Sequence, residues 1–182
     1  MIYLQNLHKQ FGSKVILKKV NFHLRSGERV GLVGENGTGK TTLFRIIMNT
    51  EPSDSGKIVF RKGAQAATLE QELNAHNGSV LERVISGNHS LQVIRQKMDD
   101  LEKKMYSKST SEAATSHYGK LQHQFEQLNG YELEPRARAI LSGLGFSNDK
   151  FKKPLNEFSG GWRMRVEMAR LLLQNPDILL LD

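Results

Sequence analysis

A chain of 182 residues is long enough for one domain with a proper core, and its net charge of +7 and pI of 9.7 point either to an anionic partner or to a solvated surface. The lack of cysteine excludes disulfides and thiolate metal sites, and the six histidines (His8, His23, His76, His89, His117, His123) show no metal-ligand spacing. No apolar run reaches the ~18 residues needed to span a bilayer, and the first residues alternate too early for a signal peptide, so a cytoplasmic chain with no membrane partner is expected.

Ile2 to Leu7 alternates apolar and polar residues, and Val15 to Leu24 repeats the pattern around Lys18 and Lys19; both predict strands of an antiparallel flank. The turn between them, Phe11-Gly12-Ser13, carries an aromatic that either stacks on a nucleobase or closes the edge of the core. Ser26-Gly27-Glu28 then turns the chain into Arg29-Val30-Gly31-Leu32-Val33, which reads as a short buried strand. Directly after it, Gly34-Glu35-Asn36-Gly37-Thr38-Gly39-Lys40-Thr41-Thr42 has the spacing G-x-x-x-x-G-K-[ST]. Leu43, Phe44, Ile46 and Ile47 follow on one face of a helix that starts near Gly39 and stops near Met48.

Strand, glycine loop and helix in that order make a phosphate-binding loop for a nucleoside triphosphate. The glycines let successive N–H groups turn toward phosphate oxygens, and the helix N-terminus adds its partial positive charge. Lys40 then reaches the β- and γ-phosphates, and the Thr41 hydroxyl is placed to ligate Mg²⁺.

Glu51 to Gly56 is a dense turn signal, Lys57 to Phe60 a short strand, and Ala66 to Leu69 runs on to Gln71. Val80, Leu81, Val84 and Ile85 predict a short amphipathic helix ending near Gly87-Asn88. Beyond it Leu91, Ile94, Met98, Leu101 and Met105 fall at alternating steps of three and four, as do Tyr118, Leu121, Phe125 and Leu128 after a polar interruption from Ser107 to Ser116. Two helices with such narrow stripes read as an antiparallel hairpin projecting from the domain, with the remaining faces open to water or a partner. Its charges nearly balance, so it is no basic patch; Lys103, Lys104 and Lys108 beside the polar loop are the ones placed to touch phosphates.

Pro135 fits a first helical position in a helix that stops at Gly143. After the basic loop around Lys150, Lys152 and Lys153, Ser159 can cap a helix that includes Val166, Met168, Ala169, Leu172 and Leu173. Ser159-Gly160-Gly161 at that helix start is a second anion site. Ile178 to Leu181 predicts a fully buried strand tipped by Asp182, a carboxylate placed to hold Mg²⁺.

Taken together, these stretches resemble an ATP-binding cassette. Phe11 matches the adenine-stacking aromatic, Gly34 to Thr42 the Walker A loop, Gln71 the Q-loop, Ser159-Gly160-Gly161 the signature and Ile178 to Asp182 the Walker B strand. Within that superfamily the chain is most similar to the ABC-F subfamily, ATPases with two cassettes in one polypeptide that act on ribosomes. The resemblance rests on Leu69-Glu70-Gln71-Glu72, on the hairpin where that family carries an arm, on the run Ile140 to Phe146, and on Phe158-Ser159-Gly160-Gly161-Trp162, with Trp where transporter cassettes mostly have Gln.

The implied fold is an α/β P-loop NTPase of the cassette type with an antiparallel β flank and an inserted helical hairpin. Residues 1–87 form the nucleotide-binding core, 88–130 the arm, and 131–182 the signature helix and Walker B strand. The resemblance implies ATP and Mg²⁺ as cofactors, bound by Phe11, Gly34, Asn36, Gly37, Thr38, Gly39, Lys40, Thr41 and Thr42. Thr41, Gln71 and Asp182 face the metal, Lys40 and Gln71 serve catalysis, and Ser159, Gly160 and Gly161 hold the γ-phosphate of ATP on an opposite cassette. A second cassette downstream in the same polypeptide, the ribosome and tRNA are the implied partners.

The family's next features, a glutamate after Asp182, the D-loop and the switch histidine, are not in these residues. A longer native protein is therefore expected, with residues 1–182 binding ATP but turning it over poorly. The alternatives are the ATP-binding subunit of a membrane transporter, disfavoured by the hairpin and Trp162; a catalytically silent scaffold; and a chromosome-clamp ATPase, which the short separation of Lys40 from Ser159 excludes.

Overall fold

The computed structural model describes residues 1–69, 78–107 and 112–182, and it falls into two compact units, Met1–Gln71 with Pro176–Asp182, and Glu72–Asn175. Among the described residues the elements mix α and β, with the strands in the first unit and all helices but one in the second.

In the first unit, strands β1 (Ile2–Phe11) and β2 (Lys14–Leu24) form an antiparallel hairpin closed at Gly12, whose φ of 58° is one a side chain rarely adopts. Strand β3 (Ser55–Phe60) pairs antiparallel along the other edge of β1. The pairing is irregular at Asn6 (φ 48°), whose N–H is met by the Asn21 side chain at 2.9 Å. Gly56 faces that irregularity, and a Cβ there would lie 2.5 Å from the Asn6 carbonyl oxygen. Alternation drives Ile2, Leu4, Leu7 and Leu17 inward, where they meet Ile46 and Ile47 of helix α1 (Lys40–Ile47). A separate parallel pair, β4 (Ala66–Thr68) with β5 (Ile178–Leu180), adds Ile178 and Leu180 to this core.

Two expectations fail here. Arg29 to Val33 forms no strand: Val33 is 95% exposed, and Val30 and Leu32 are exposed too. A buried parallel strand needs hydrogen-bond partners along its edges, and among the described residues β4 and β5 pair only with each other. Nor is β5 buried on both faces, since Leu179 and Leu181 remain exposed while Ile178 and Leu180 are covered.

The second unit is helical. Helix α2 (Val80–Ile85) starts in a capping box in which Ser79 accepts from the Glu82 N–H and the Glu82 carboxylate accepts from the Ser79 N–H. Helices α3 (His89–Ser107) and α4 (Glu112–Gln127) form the expected hairpin, and α5 (Leu133–Gly143) and α6 (Gly160–Leu173) complete the unit. Pro135 sits third in α5 rather than first, still inside the turn whose amides have no intrahelical acceptor. The polar interruption is shorter than expected, because α4 takes in Ala114, Thr115 and Ser116; Lys108 lies outside the described residues.

The hairpin also shares its base with the body. Leu91, Ile94, Met98, Leu121 and Phe125 join one core with Val80, Val84, Leu133, Ala137, Leu141, Phe146 and Val166. Leu101 and Tyr118 pack partly buried against the same core, and the Tyr118 hydroxyl donates to Glu102 across the pair. Leu128, counted in the stripe, lies past the end of α4 and is exposed.

A buried carboxylate ties α2 to α6. Glu167, 4% exposed, accepts from Arg83 Nε at 2.6 Å and from Arg170 Nε at 2.7 Å. Burial alone pushes this carboxyl up, but hydrogen bonds from Arg83 and Arg170 and their positive charge outweigh it and hold the pKa below the ordinary glutamate value. Its contribution to stability is therefore present above the unfolded pKa and is lost as pH falls through the lowered folded one. Glu167→Gln should destabilise the protein by about 3–5 kcal/mol in urea unfolding at neutral pH, with the gap to wild type closing as the medium is acidified below the carboxylate range.

Candidate functional site

Gly34 to Thr42 folds as the turn and helix start that its spacing requires. Gly37 (φ 77°) and Gly39 (φ 103°) occupy left-handed conformations, and α1 begins at Lys40 with the Leu43 N–H donating to the Gly39 carbonyl at 2.9 Å. The Thr38 hydroxyl donates to the Glu35 carbonyl at 2.8 Å, and Gly34 lies so close that a Cβ there would stand 2.9 Å from Thr38 Oγ1. Lys40 Nζ donates to the carbonyls of Gly34 and Glu35, each at 2.8 Å, so the ammonium folds back over its own loop. Asn36 is exposed on the turn, and Thr42 is half-buried in the first turn of α1.

Two distant stretches meet this loop. At one side the Thr41 hydroxyl donates to the Asp182 carboxylate at 2.5 Å. Asp182 is carried there by β5, whose start is fixed by Asp177: one carboxylate oxygen accepts from Arg61 at 2.7 Å and the other from the Gln65 N–H at 3.0 Å. At the other side Ile16 of β2 presses on Gly39, where a Cβ would lie 2.3 Å from Ile16 Cγ2. The same hairpin carries Phe11, 48% exposed and paired in register with Lys14, so the aromatic and the glycine loop belong to one packed assembly.

The donor set beside the loop is oxygen only, a hydroxyl and a carboxylate, which suits a hard cation such as Mg²⁺. The loop itself offers left-handed glycines and a helix N-terminus, the surroundings a polyphosphate needs. Gln71 lies outside the described residues.

Ser159, Gly160 and Gly161 belong to the second unit. Ser159 is the extended residue before α6, but its side chain makes no capping hydrogen bond, contrary to expectation; its hydroxyl is exposed. Added Cβ atoms at Gly160 or Gly161 would meet nothing within 4 Å, so the chain's own packing does not require glycine there. The turn is held from behind by Arg163, whose Nε donates to the Phe158 carbonyl at 2.9 Å, while Trp162 packs edge-on against Phe146 with Lys150 and Arg165 over its ring.

Two contributors were not foreseen. In sequence Ile16 is one position of an alternating strand, and nothing local marks it as the residue that presses on Gly39. Lys9 could have been noticed, because it occupies an inward position of β1 where an apolar residue is expected.

A family model described as ABC transporter matches residues 17–182. Among curated proteins, "Probable ATP-binding protein YheS" of Escherichia coli K12 is 34% identical over 182 residues, covering 100% of this chain and 27% of that protein. "ABC transporter F family member 2" of Arabidopsis thaliana is 32% identical, over 100% of this chain and 28% of its own length. The chain thus spans about a quarter of the length of the curated relatives it matches. Among solved structures, the one titled "Dimeric Structure of MJ0796, a Bacterial ABC Transporter Cassette" superposes with a TM-score of 0.63 at 25% identity, covering 100% of this chain and 73% of that one. CbiO1 from Clostridium perfringens, part of an ABC transporter complex, gives 0.62 at 21% identity, over 100% of this chain and 64% of its own.

The contact between Gly39 and Ile16 makes a prediction. Gly39→Ala meets both a forbidden φ and the Ile16 methyl, and should cost about 1–3 kcal/mol in thermal or urea unfolding. Adding Ile16→Ala removes the steric part of that cost and leaves the backbone part, so the double variant should recover the loop only partially in a nucleotide-affinity titration.

Proposed function

This chain belongs to the ABC transporter family, and on that premise we propose that it is the nucleotide-binding cassette of an ABC-F ATPase that acts on the ribosome in translation, in the cytoplasm. The observation that carries the nucleotide half is the contact of Thr41 with Asp182 beside a lysine folded over the loop. Lys40 exchanges the neutral carbonyls of Gly34 and Glu35 for charged phosphate oxygens, a stronger hydrogen bond of the charge-assisted kind. The loop amides and the α1 N-terminus hold the remaining phosphate charge, and Phe11 stacks on the adenine. Thr41 and Asp182 would hold Mg²⁺, which would supply positive charge against the nucleotide phosphates. Gln71 orients the attacking water. Base selectivity is modest on this arrangement, because stacking accepts any purine.

Ser159 with the amides of Gly160 and Gly161 serves the γ-phosphate of a nucleotide on a second cassette in the same polypeptide. Support comes from the open space over both glycines and from a free serine hydroxyl at a helix start. The relatives are long enough to carry such a second cassette.

The ribosomal half is supported by a relative named as an ABC transporter F family member, by the α3–α4 hairpin and by the Trp162 cluster. Leu101 and Tyr118 pack against the core; the lysines beyond Leu101 in sequence, Lys103, Lys104 and Lys108, are the ones that reach ribosomal RNA or tRNA. Among the described residues no helix is long and apolar enough to cross a membrane. In the transporter alternative the same cassette would couple to a membrane subunit instead.

Ribosome co-sedimentation of the full-length protein tests this reading. ATP should promote pelleting of the wild type; Lys40→Ala should abolish the ATP effect, and replacing the tip between Leu101 and Tyr118 with a short Gly/Ser bridge should weaken pelleting without unfolding the cassette. Pelleting indifferent to ATP and to the tip, or recovery with membranes instead of ribosomes, would overturn it.

A further inference from the structure

Lys9 is a charged residue at an inward position of β1, only 6% exposed. Its ammonium is fully engaged: Nζ donates to the Pro52 carbonyl at 2.8 Å, pairs with Glu51 at 2.5 Å and lies 3.7 Å from Asp54. Those acceptors are themselves locked to β1, since Asp54 accepts from the Gln10 N–H at 2.7 Å and the Asp54 N–H donates to the His8 carbonyl at 3.0 Å. Two residues along, on the same side of the strand, stands Phe11, and the Lys9 ammonium lies 4.8 Å from the centre of its ring. The Phe11 side chain keeps 48% of its surface exposed with the cation against its ring.

We propose that Lys9 is a positioning residue for the nucleobase: it fixes the Phe11 ring from behind and, by drawing electron density toward the ammonium, makes the open face a better stacking surface for an electron-rich purine. The inference rests on the reading of Phe11 as the adenine-stacking residue. A cation near an aromatic face is attracted by the ring quadrupole, which restricts the ring to one orientation and polarises it across its plane. Preorganising the ring lowers the ordering cost of stacking a base on it. Lys9 is no phosphate ligand in this arrangement, because Glu51 and the Pro52 carbonyl take its hydrogen bonds and Asp54 adds a second carboxylate beside its charge. The hydrogen bond to Glu51 also raises the Lys9 pKa, so the charge persists throughout the neutral range.

This separation of base grip from phosphate grip supplies the test. Affinities for ATP and for inorganic tripolyphosphate, both with Mg²⁺, are measured by calorimetric titration on the full chain for wild type, Phe11→Ala, Lys9→Met, Lys9→Arg and the double variant Phe11→Ala/Lys9→Met. Lys9→Met should weaken ATP binding about two- to fivefold while leaving tripolyphosphate unchanged, have no further effect once Phe11 is alanine, and be rescued by Lys9→Arg, which keeps a cation against the ring. A loss for ATP and tripolyphosphate alike would make Lys9 merely structural and overturn the proposal. If Phe11→Ala lowers the ATP preference and Lys9→Met does not, the proposal fails while the stacking reading stands; if Phe11→Ala leaves the preference unchanged, the stacking reading itself fails and the proposal with it. Should Lys9→Met not fold because Glu51 is left uncompensated, Lys9→Met/Glu51→Gln gives the same comparison with the pair removed together.

Discussion

The hydrogen bond from Thr41 to Asp182 joins the first turn of α1 to the residues just past β5, across a separation of 141 residues in sequence. Most of the first unit is arranged to permit it. The parallel pairing of β5 with β4 fixes the direction in which Asp182 emerges, and Asp177, gripped by Arg61 and Gln65, fixes where β5 begins. From the other side Ile16 holds Gly39, and with it the start of α1, against the β1–β2 hairpin. A hydroxyl and a carboxylate brought together in this way set two oxygen donors beside the glycine loop, and neither stretch does so alone.

Much of this was legible in the sequence, because the features concerned are local. The glycine spacing around Lys40 specifies positive φ and a helix start within a few residues, and the alternation in β1 and β2 specifies a hairpin whose turn needs Gly12. Arg29 to Val33 reads as a strand but forms none, because apolar composition reports a willingness to be buried, whereas a strand also needs neighbours to share its hydrogen bonds. The hairpin was half legible. Its heptad-like spacing correctly gave two helices, but spacing cannot say that Leu91, Ile94 and Met98 continue into the core formed by α2, α5 and α6. Lys9 and Ile16 belong to a third kind, in which a residue matters because of what a distant segment brings to it.

The second unit shows the same economy around its glycine pair. Trp162 is anchored by Phe146, Lys150 and Arg165, Arg163 holds the preceding carbonyl, and Glu167 fastens the middle of α6 to α2 through two arginines. Every side chain named here works to fix the helix, while Ser159, Gly160 and Gly161 at its start are left bare. The first amides of α6 thus have no side-chain cap from Ser159 and no covering atoms over the two glycines.

The claim that most else depends on is that the glycine loop, Lys40, Thr41 and Asp182 form a single Mg²⁺-dependent nucleotide site. Its most direct test is a calorimetric titration of ATP into wild type, Lys40→Ala and Thr41→Ala, each with and without Mg²⁺. The expected result is binding that Mg²⁺ strengthens in the wild type, at least about tenfold weaker in Lys40→Ala in either medium, and insensitive to Mg²⁺ in Thr41→Ala. Equal affinities in the three proteins, or an undiminished Mg²⁺ effect without the Thr41 hydroxyl, would contradict it.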